Sequence, residues 1–235
     1  MTNKALMASI CALALFSSPV FANDWAGAYI GVTGGYAMGE SNFTGTGALV
    51  PSEEYPNREG TIDVEGSLFG AQVGFNFDLG NGMMGGIVAD YSHASLDGSV
   101  CADDDDCAGV DPGHTYAEAS ADWLSTVRGK LGIASEESFV YLTGGLAMSN
   151  VTSTVTNLDG EDSFDLSEEA DMTGWTVGAG MNFKVAENVD MGIEYLYVDL
   201  GQAEYDYEGP DGFPTAGAEG DLTMHVVRAS INYHF

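Results

Sequence analysis

The sequence predicts an all-β fold, an eight-stranded antiparallel barrel that crosses a membrane with its strands. Three observations predict it. Apolar and polar residues alternate through eight separate stretches, which is the period of a β-strand. The connections between those stretches alternate too, short then long. The apolar face of each stretch is backed by a face of Gly, Ser, Thr, Asn and charge, an arrangement that is favourable when lipid lies outside and polar groups lie inside.

The first 22 residues, MTNKALMASICALALFSSPVFA, stand apart. Lys4 precedes an apolar run from Ala5 to Phe16, and Val20 and Ala22 occupy the small-residue positions of a cleavage site. This reads as a secretory signal peptide over residues 1–22, too short for a transmembrane helix, which leaves residues 23–235 as one barrel domain. A lipoprotein leader is disfavoured because Cys11 lies inside the apolar run with Ile10 before it. After the leader no apolar run reaches the roughly 18 residues of a membrane helix, so a membrane-spanning reading requires strands.

The expected strands are Trp25 to Met38, Ser67 to Asp78, Met83 to Ser95, Ala119 to Ala134, Phe139 to Asn150, Asp171 to Val185, Val189 to Gly201 and Leu222 to Phe235. In the second, Phe69, Ala71, Val73, Phe75 and Phe77 share one face against Gly70, Gln72, Gly74 and Asn76. The sixth repeats the pattern, with Trp175, Val177, Ala179, Met181 and Phe183 against Gly174, Thr176, Gly178, Gly180 and Asn182. Short links (LGNG, SEES, AEN) join strands two to three, four to five and six to seven, while the other four connections read as about 20 to 28 residues. Strands of about 11 residues tilted by about 40° cross an apolar band of about 25 Å, and short turns on one side with long loops on the other are the pattern of an outer-membrane barrel. A soluble lipocalin-like barrel would place its apolar face inside, opposite to what is read here. The last strand alternates to the final residue: Phe235, Tyr233, Ile231, Ala229 and Val227 make one face, and such an ending suits either a waiting sheet neighbour or machinery that reads the terminus.

Charge excludes some functions. The formal net charge is −30, from 36 acidic and six basic residues. No basic patch is available to neutralise phosphates, which argues against nucleic-acid binding. A hydrophobic content of 45% and an aromatic content of 11% argue against disorder. Of three cysteines, Cys11 leaves with the leader, and Cys101 with Cys107 form an even pair that suggests one disulfide in an exported chain.

Strand parity points Asp90, Arg128, Lys130, Glu194 and Arg228 into the lumen, with Lys184 also inward. Buried charges must be paired, so these five are expected to form one network. Such a network serves as a gated ion path or as a packed polar core; a barrel of eight strands has room only for side chains, which favours the packed core. The long connections carry most of the acidic residues and one base, Arg58; CADDDDC, DGEDSFD and EYDYEGPDG offer carboxylates to divalent cations without the spacing of a twelve-residue calcium loop. The plainer reading is a solvated, self-repelling surface. YSHAS places Ser92, His93 and Ser95 together near the outer end of strand three, offering a nucleophile beside a base. A histidine beside serines is too common to carry a catalytic assignment.

Three stretches carry a family signature: WAGAYIGVTGGY; WLSTVRGKLGI leading to VYLTGGLA; and GWTVGAGMNF followed by IEYLYVDLG and the terminal VVRASINYHF. Together the chain resembles the opacity-like branch of the OmpA-type eight-stranded outer-membrane proteins, the alphaproteobacterial surface antigens often labelled "porin family". Lys130 stands where that family more often has Arg. The resemblance implies a monomeric barrel in the outer membrane of a Gram-negative cell, loops outside and both termini in the periplasm, working without a cofactor as a structural surface protein rather than an enzyme. Its partners would be lipid, lipopolysaccharide and the barrel assembly machinery, with Tyr233 and Phe235 as the assembly signal and divalent cations at the acidic loops. A low-conductance porin and a lipid A-modifying enzyme are the alternatives.

Overall fold

The structure is a computed structural model, and it describes residues 25–47, 58–101, 115–157, 164–207 and 216–235. The expected leader, Cys107 and the clusters around residues 102–114, 158–163 and 208–215 lie outside the described residues, as does the side chain of Cys101. Eight strands follow one another: β1 Gly27–Gly47, β2 Arg58–Gly80, β3 Met83–Cys101, β4 Thr115–Ala134, β5 Ser138–Asn157, β6 Phe164–Ala186, β7 Val189–Tyr207 and β8 Ala216–His234. Each pairs antiparallel with its sequence neighbour, and β8 pairs with β1 to close the barrel. Closure leaves no unpaired edge, the condition for a sheet to span lipid.

The turn end of the barrel is compact. β2 passes to β3 through Gly80, Asn81 and Gly82, all at positive φ (86°, 56° and 77°), a conformation that Gly and Asn tolerate and most residues do not. At β4–β5, Ser138 donates its amide to the Ser135 hydroxyl at 3.1 Å, tying that turn by a side chain.

The strands are longer than expected. They run 19 to 23 residues, so segments read as long loops, including Arg58–Gly66 and Ala216–Asp221, are strand. β1 starts at Gly27, and Trp25 before it turns inward and is buried.

The cause lies in a change of polarity along the barrel axis. Toward the turn end the outer face is the expected apolar band: Ile30, Val32, Phe69, Val73, Ile87, Leu131, Leu142, Val177, Ile193 and Ile231 are all exposed. Aromatic residues border it. Tyr91 stacks on Trp123 at 6.0 Å and Trp175 meets Tyr197 at 5.5 Å on one border, and Tyr233 meets Phe235 edge-on at 5.4 Å on the other. Beyond the first border, toward the loop end, the sense reverses. Ile62, Val64, Leu68, Leu96, Val198, Leu222 and Met224 point inward and form an apolar core, while Glu40, Asp63, Glu65, Asp97 and Glu204 face out. The expectation of a wholly polar interior is therefore correct only for the half behind the apolar band. The other half is built as a water-soluble barrel is, with aliphatic side chains in and charge out.

Candidate functional site

The lumen behind the apolar band holds the charges that sequence parity pointed inward. β3 supplies Asp90, β4 Arg128 and Lys130, β7 Glu194 and β8 Arg228; all five are at least nine-tenths buried. Four of them form a closed ring of ion pairs. Arg128 reaches Asp90 Oδ2 at 3.0 Å and Glu194 Oε1 at 2.9 Å. Arg228 reaches Asp90 Oδ1 at 2.9 Å and Glu194 Oε2 at 2.7 Å. Each arginine thus bridges both carboxylates, and each carboxylate receives both arginines. The remaining capacity is also used: Thr126 donates to Asp90 at 2.6 Å, Tyr141 donates to Glu194 at 3.0 Å, and Arg128 Nε donates to Thr126 at 2.8 Å. Charge balance within the ring and full hydrogen bonding are what make a buried ionic cluster tolerable.

Room for the guanidinium groups comes from the neighbouring strands. Gly35 is paired with Arg228 and Gly145 with Arg128. A Cβ on Gly35 would lie 2.6 Å from Arg228 Cβ, so glycine is the residue that admits the arginine at that point.

Lys130 was expected in the same network, and its place corrects that expectation. The two arginines and their helpers occupy the carboxylate oxygens, and Lys130 meets no carboxylate at salt-bridge distance among the described residues. It sits instead between two tyrosines: its ammonium donates to the Tyr29 hydroxyl at 3.1 Å and lies 4.3 Å from the Tyr141 ring centre. A cation over an aromatic face is stabilised by the ring quadrupole, more so when desolvated. Tyr141 therefore touches both groups, its ring under Lys130 and its hydroxyl on Glu194.

A second polar layer, not anticipated from the sequence, lies nearer the turn end. Asp190 accepts from Asn182 and Asn232, each at 2.8 Å, and lies 2.5 Å from His234 Nε2; Gln72 donates to Asn232 at 2.6 Å. The even spacing of Asp190 from Glu194 was the available signal. Below this layer Trp25, Met84 and Phe139 close the mouth. The Trp25 indole donates to the Ser135 carbonyl at 2.7 Å, and Lys184 lies 5.3 Å from the indole ring. Read along the axis, the lumen is an aromatic plug, a polar layer, a lysine between tyrosines, a ring of ion pairs, and then the apolar core.

The barrel wall separates only one serine of YSHAS from the histidine. Ser92 is buried inside, while His93 and Ser95 are exposed on the outer face. No group of three or more metal-ligating side chains is gathered among the described residues.

Comparison with known proteins follows the same line. The family model described as the outer membrane protein beta-barrel domain matches residues 8–235. The chain belongs to this family. Among its curated members, the 31 kDa outer-membrane immunogenic protein of Brucella melitensis is 35% identical over 224 residues, covering 93% of this chain and 87% of that one. The 22 kDa outer membrane protein of Rhizobium leguminosarum is 27% identical over 188 residues, covering 80% and 70%. Of solved structures, the outer membrane protease OmpT from Escherichia coli superposes with a TM-score of 0.56 at 8% identity, covering 93% of this chain and 99% of that chain, a likeness of fold alone. The protein is an outer-membrane β-barrel of the surface-antigen type that the sequence resembles, and its apolar band is the surface that faces lipid.

Proposed function

We propose that this member of the family is a sealed, non-enzymatic structural barrel whose work is done at the cell surface, where it contributes to envelope integrity and presents acidic loops. The observation that carries the reading is the filling of the lumen. A ring of four paired charges is capped on one side by an apolar core and on the other by Trp25 and Phe139. An ion crossing such a lumen would have to break desolvated ion pairs and then enter an aliphatic layer, and both steps are costly. Purified protein in a planar bilayer is expected to give a flat baseline; stable, reproducible open channels would replace this reading with that of a low-conductance porin.

In this reading the short turns and both termini lie in the periplasm, the loops lie outside, and the protein works as a monomer in contact with lipid and lipopolysaccharide. Divalent cations screen its carboxylates. Cys101 and Cys107 close a small disulfide loop. Tyr233 and Phe235 form the signal read by the barrel assembly machinery. Phe235 is 67% exposed on the lipid-facing side, and its amide donates to Ala28 of β1 at 3.1 Å, so it stands at the closing seam. Deleting Phe235 is expected to reduce outer-membrane insertion in cells sharply while refolding in detergent micelles, where no machinery acts, is only mildly impaired. Equal amounts of truncated and full-length protein in the outer membrane would remove the recognition role.

A further inference from the structure

The two halves of the barrel repeat one another in sequence, register and irregularity. Thr33–Met38 reads TGGYAM on β1 and Thr143–Met148 reads TGGLAM on β5; Gly74–Phe77 reads GFNF on β2 and Gly180–Phe183 reads GMNF on β6. Val127–Leu131 reads VRGKL on β4 and Val227–Ile231 reads VRASI on β8. Similar strands can recur by chance in a barrel, but registers and defects are independent of composition. Asn76 pairs with Gly86 across β2 and β3, and Asn182 pairs with Gly192 across β6 and β7. The turn-end irregularity falls between Asp78 and Gly80 in one hairpin and between Lys184 and Ala186 in the other, at the same displacement along the chain. The loop-end irregularity falls between His93 and Leu96 on β3·β4 and between Asp199 and Gln202 on β7·β8, again at that displacement. Bulges are specified features of a strand pair rather than accidents, so their coincidence carries weight.

The packing repeats as well. Asn76 and Asn182 each hold their side-chain carbonyl without a hydrogen-bond partner over the facing glycine, where a Cβ would approach to 2.5 and 2.8 Å respectively. Most telling is the seam. Across β4·β5 Arg128 faces Gly145 and Thr126 faces Ala147; across β8·β1 Arg228 faces Gly35 and Val226 faces Ala37. Two departures stand beside the match: β4·β5 carries an irregularity between Ser120 and Leu124 toward the loop end that β8·β1 lacks, so the two seams match over their turn-side part, and one hairpin shows an even slip. Gly35 faces Leu68 but Gly145 faces Thr176, two residues from the position the repeat would give, which leaves every side chain on its own face.

We propose that the chain is a tandem duplication of one four-stranded unit, β1–β4 and β5–β8, and that the pair closing the barrel, β8·β1, is the same interface as β4·β5: the unit recognises a second copy of itself, here supplied by the same chain. The ion-pair ring spans the two units through equivalent arginines, although its carboxylates stand at different repeat positions: Arg128 faces Val88 where Arg228 faces Glu194. Each unit contributes one carboxylate and one arginine, Asp90 with Arg128 and Glu194 with Arg228, and every arginine binds its own unit's carboxylate and the other's.

The experiment exchanges equivalent segments within the full chain. In the matched exchange residues 124–131 and 224–231 trade places; in the slipped exchange residues 124–131 trade with 222–229. Both preserve composition and the facing of every side chain, but only the first returns an arginine to the position opposite each glycine. Refolding into detergent is read as the fraction of unboiled protein with shifted mobility in SDS gels. The matched exchange is expected to refold within about twofold of wild type and the slipped exchange at least about tenfold less, since register is strongly specified where a face is buried. If the matched exchange refolds no better than the slipped one, whether both succeed or both fail, the duplication is overturned.

Discussion

Glu194 shows how much a single lumen side chain holds. It accepts from Arg128, Arg228 and Tyr141, on strands β4, β8 and β5, so its loss is felt on three sides. Changing Glu194→Lys places a fourth positive charge beside Arg128, Arg228 and Lys130 and leaves both arginines short of a carboxylate, at a cost of about 3–5 kcal/mol. Glu194→Gln keeps the shape but removes the charge, and is expected to lose less. Thermal midpoints of the mobility-shifted band rank the three proteins; a Glu194→Lys midpoint equal to wild type would show that the ring contributes nothing to stability. The inward pointing of these residues was legible because a strand has period two. That Lys130 would be held by Tyr29 and Tyr141 was not legible, because the tyrosines approach it only after eight strands close into a ring.

At the scale of the strand, neighbouring glycines on β1 separate the two faces of the wall. Gly34 lies on the outer face with Phe69 Cδ2 as the nearest atom to an added Cβ, at 3.9 Å, whereas at Gly35 that Cβ would come within 2.6 Å of the Val227 carbonyl oxygen. Gly35→Val is therefore expected to lower the refolded fraction by about 1–3 kcal/mol of lost stability, as overpacking does. Gly34→Val is expected to stay within about 0.5 kcal/mol of wild type, as exposed substitutions do. Similar effects of the two would mean that the β8·β1 seam is not packed as described. The existence, order and facing of all eight strands were legible in the alternation, and so were the three short turns. Their true length was not. On β2 the apolar positions are Phe69, Val73 and Phe77 in the lipid-facing part but Ile62, Val64 and Leu68 beyond it, so the apolar set changes sides while the strand continues. A reading that follows one apolar face stops at that change. On β4 and β7 the irregularities near Ser120 and Gln202 hide the continuation further.

The whole molecule is two barrels in series sharing one set of strands: a lipid-facing part with a polar interior and a water-facing part with an apolar one. The second part is crowded with like charge. Glu40 faces Asp63, Glu65 faces Asp97 and Glu204 faces Glu219 directly across strand pairs, an arrangement that destabilises a sheet. Raising ionic strength from about 0.01 to about 0.15 M shortens the screening length from about 30 to about 8 Å. The thermal midpoint is expected to rise with added sodium chloride over that range; a fall would mean that attractive surface pairs outweigh these repulsions. The change of polarity partway along each strand also fixes something no single contact does. Pushed toward the turn end, the molecule would drag carboxylates into hydrocarbon; pulled the other way, it would bare aliphatic side chains to water. Like a hull with a painted waterline, it rides at one height, and whatever its loops carry stands at a constant distance from the lipid beneath.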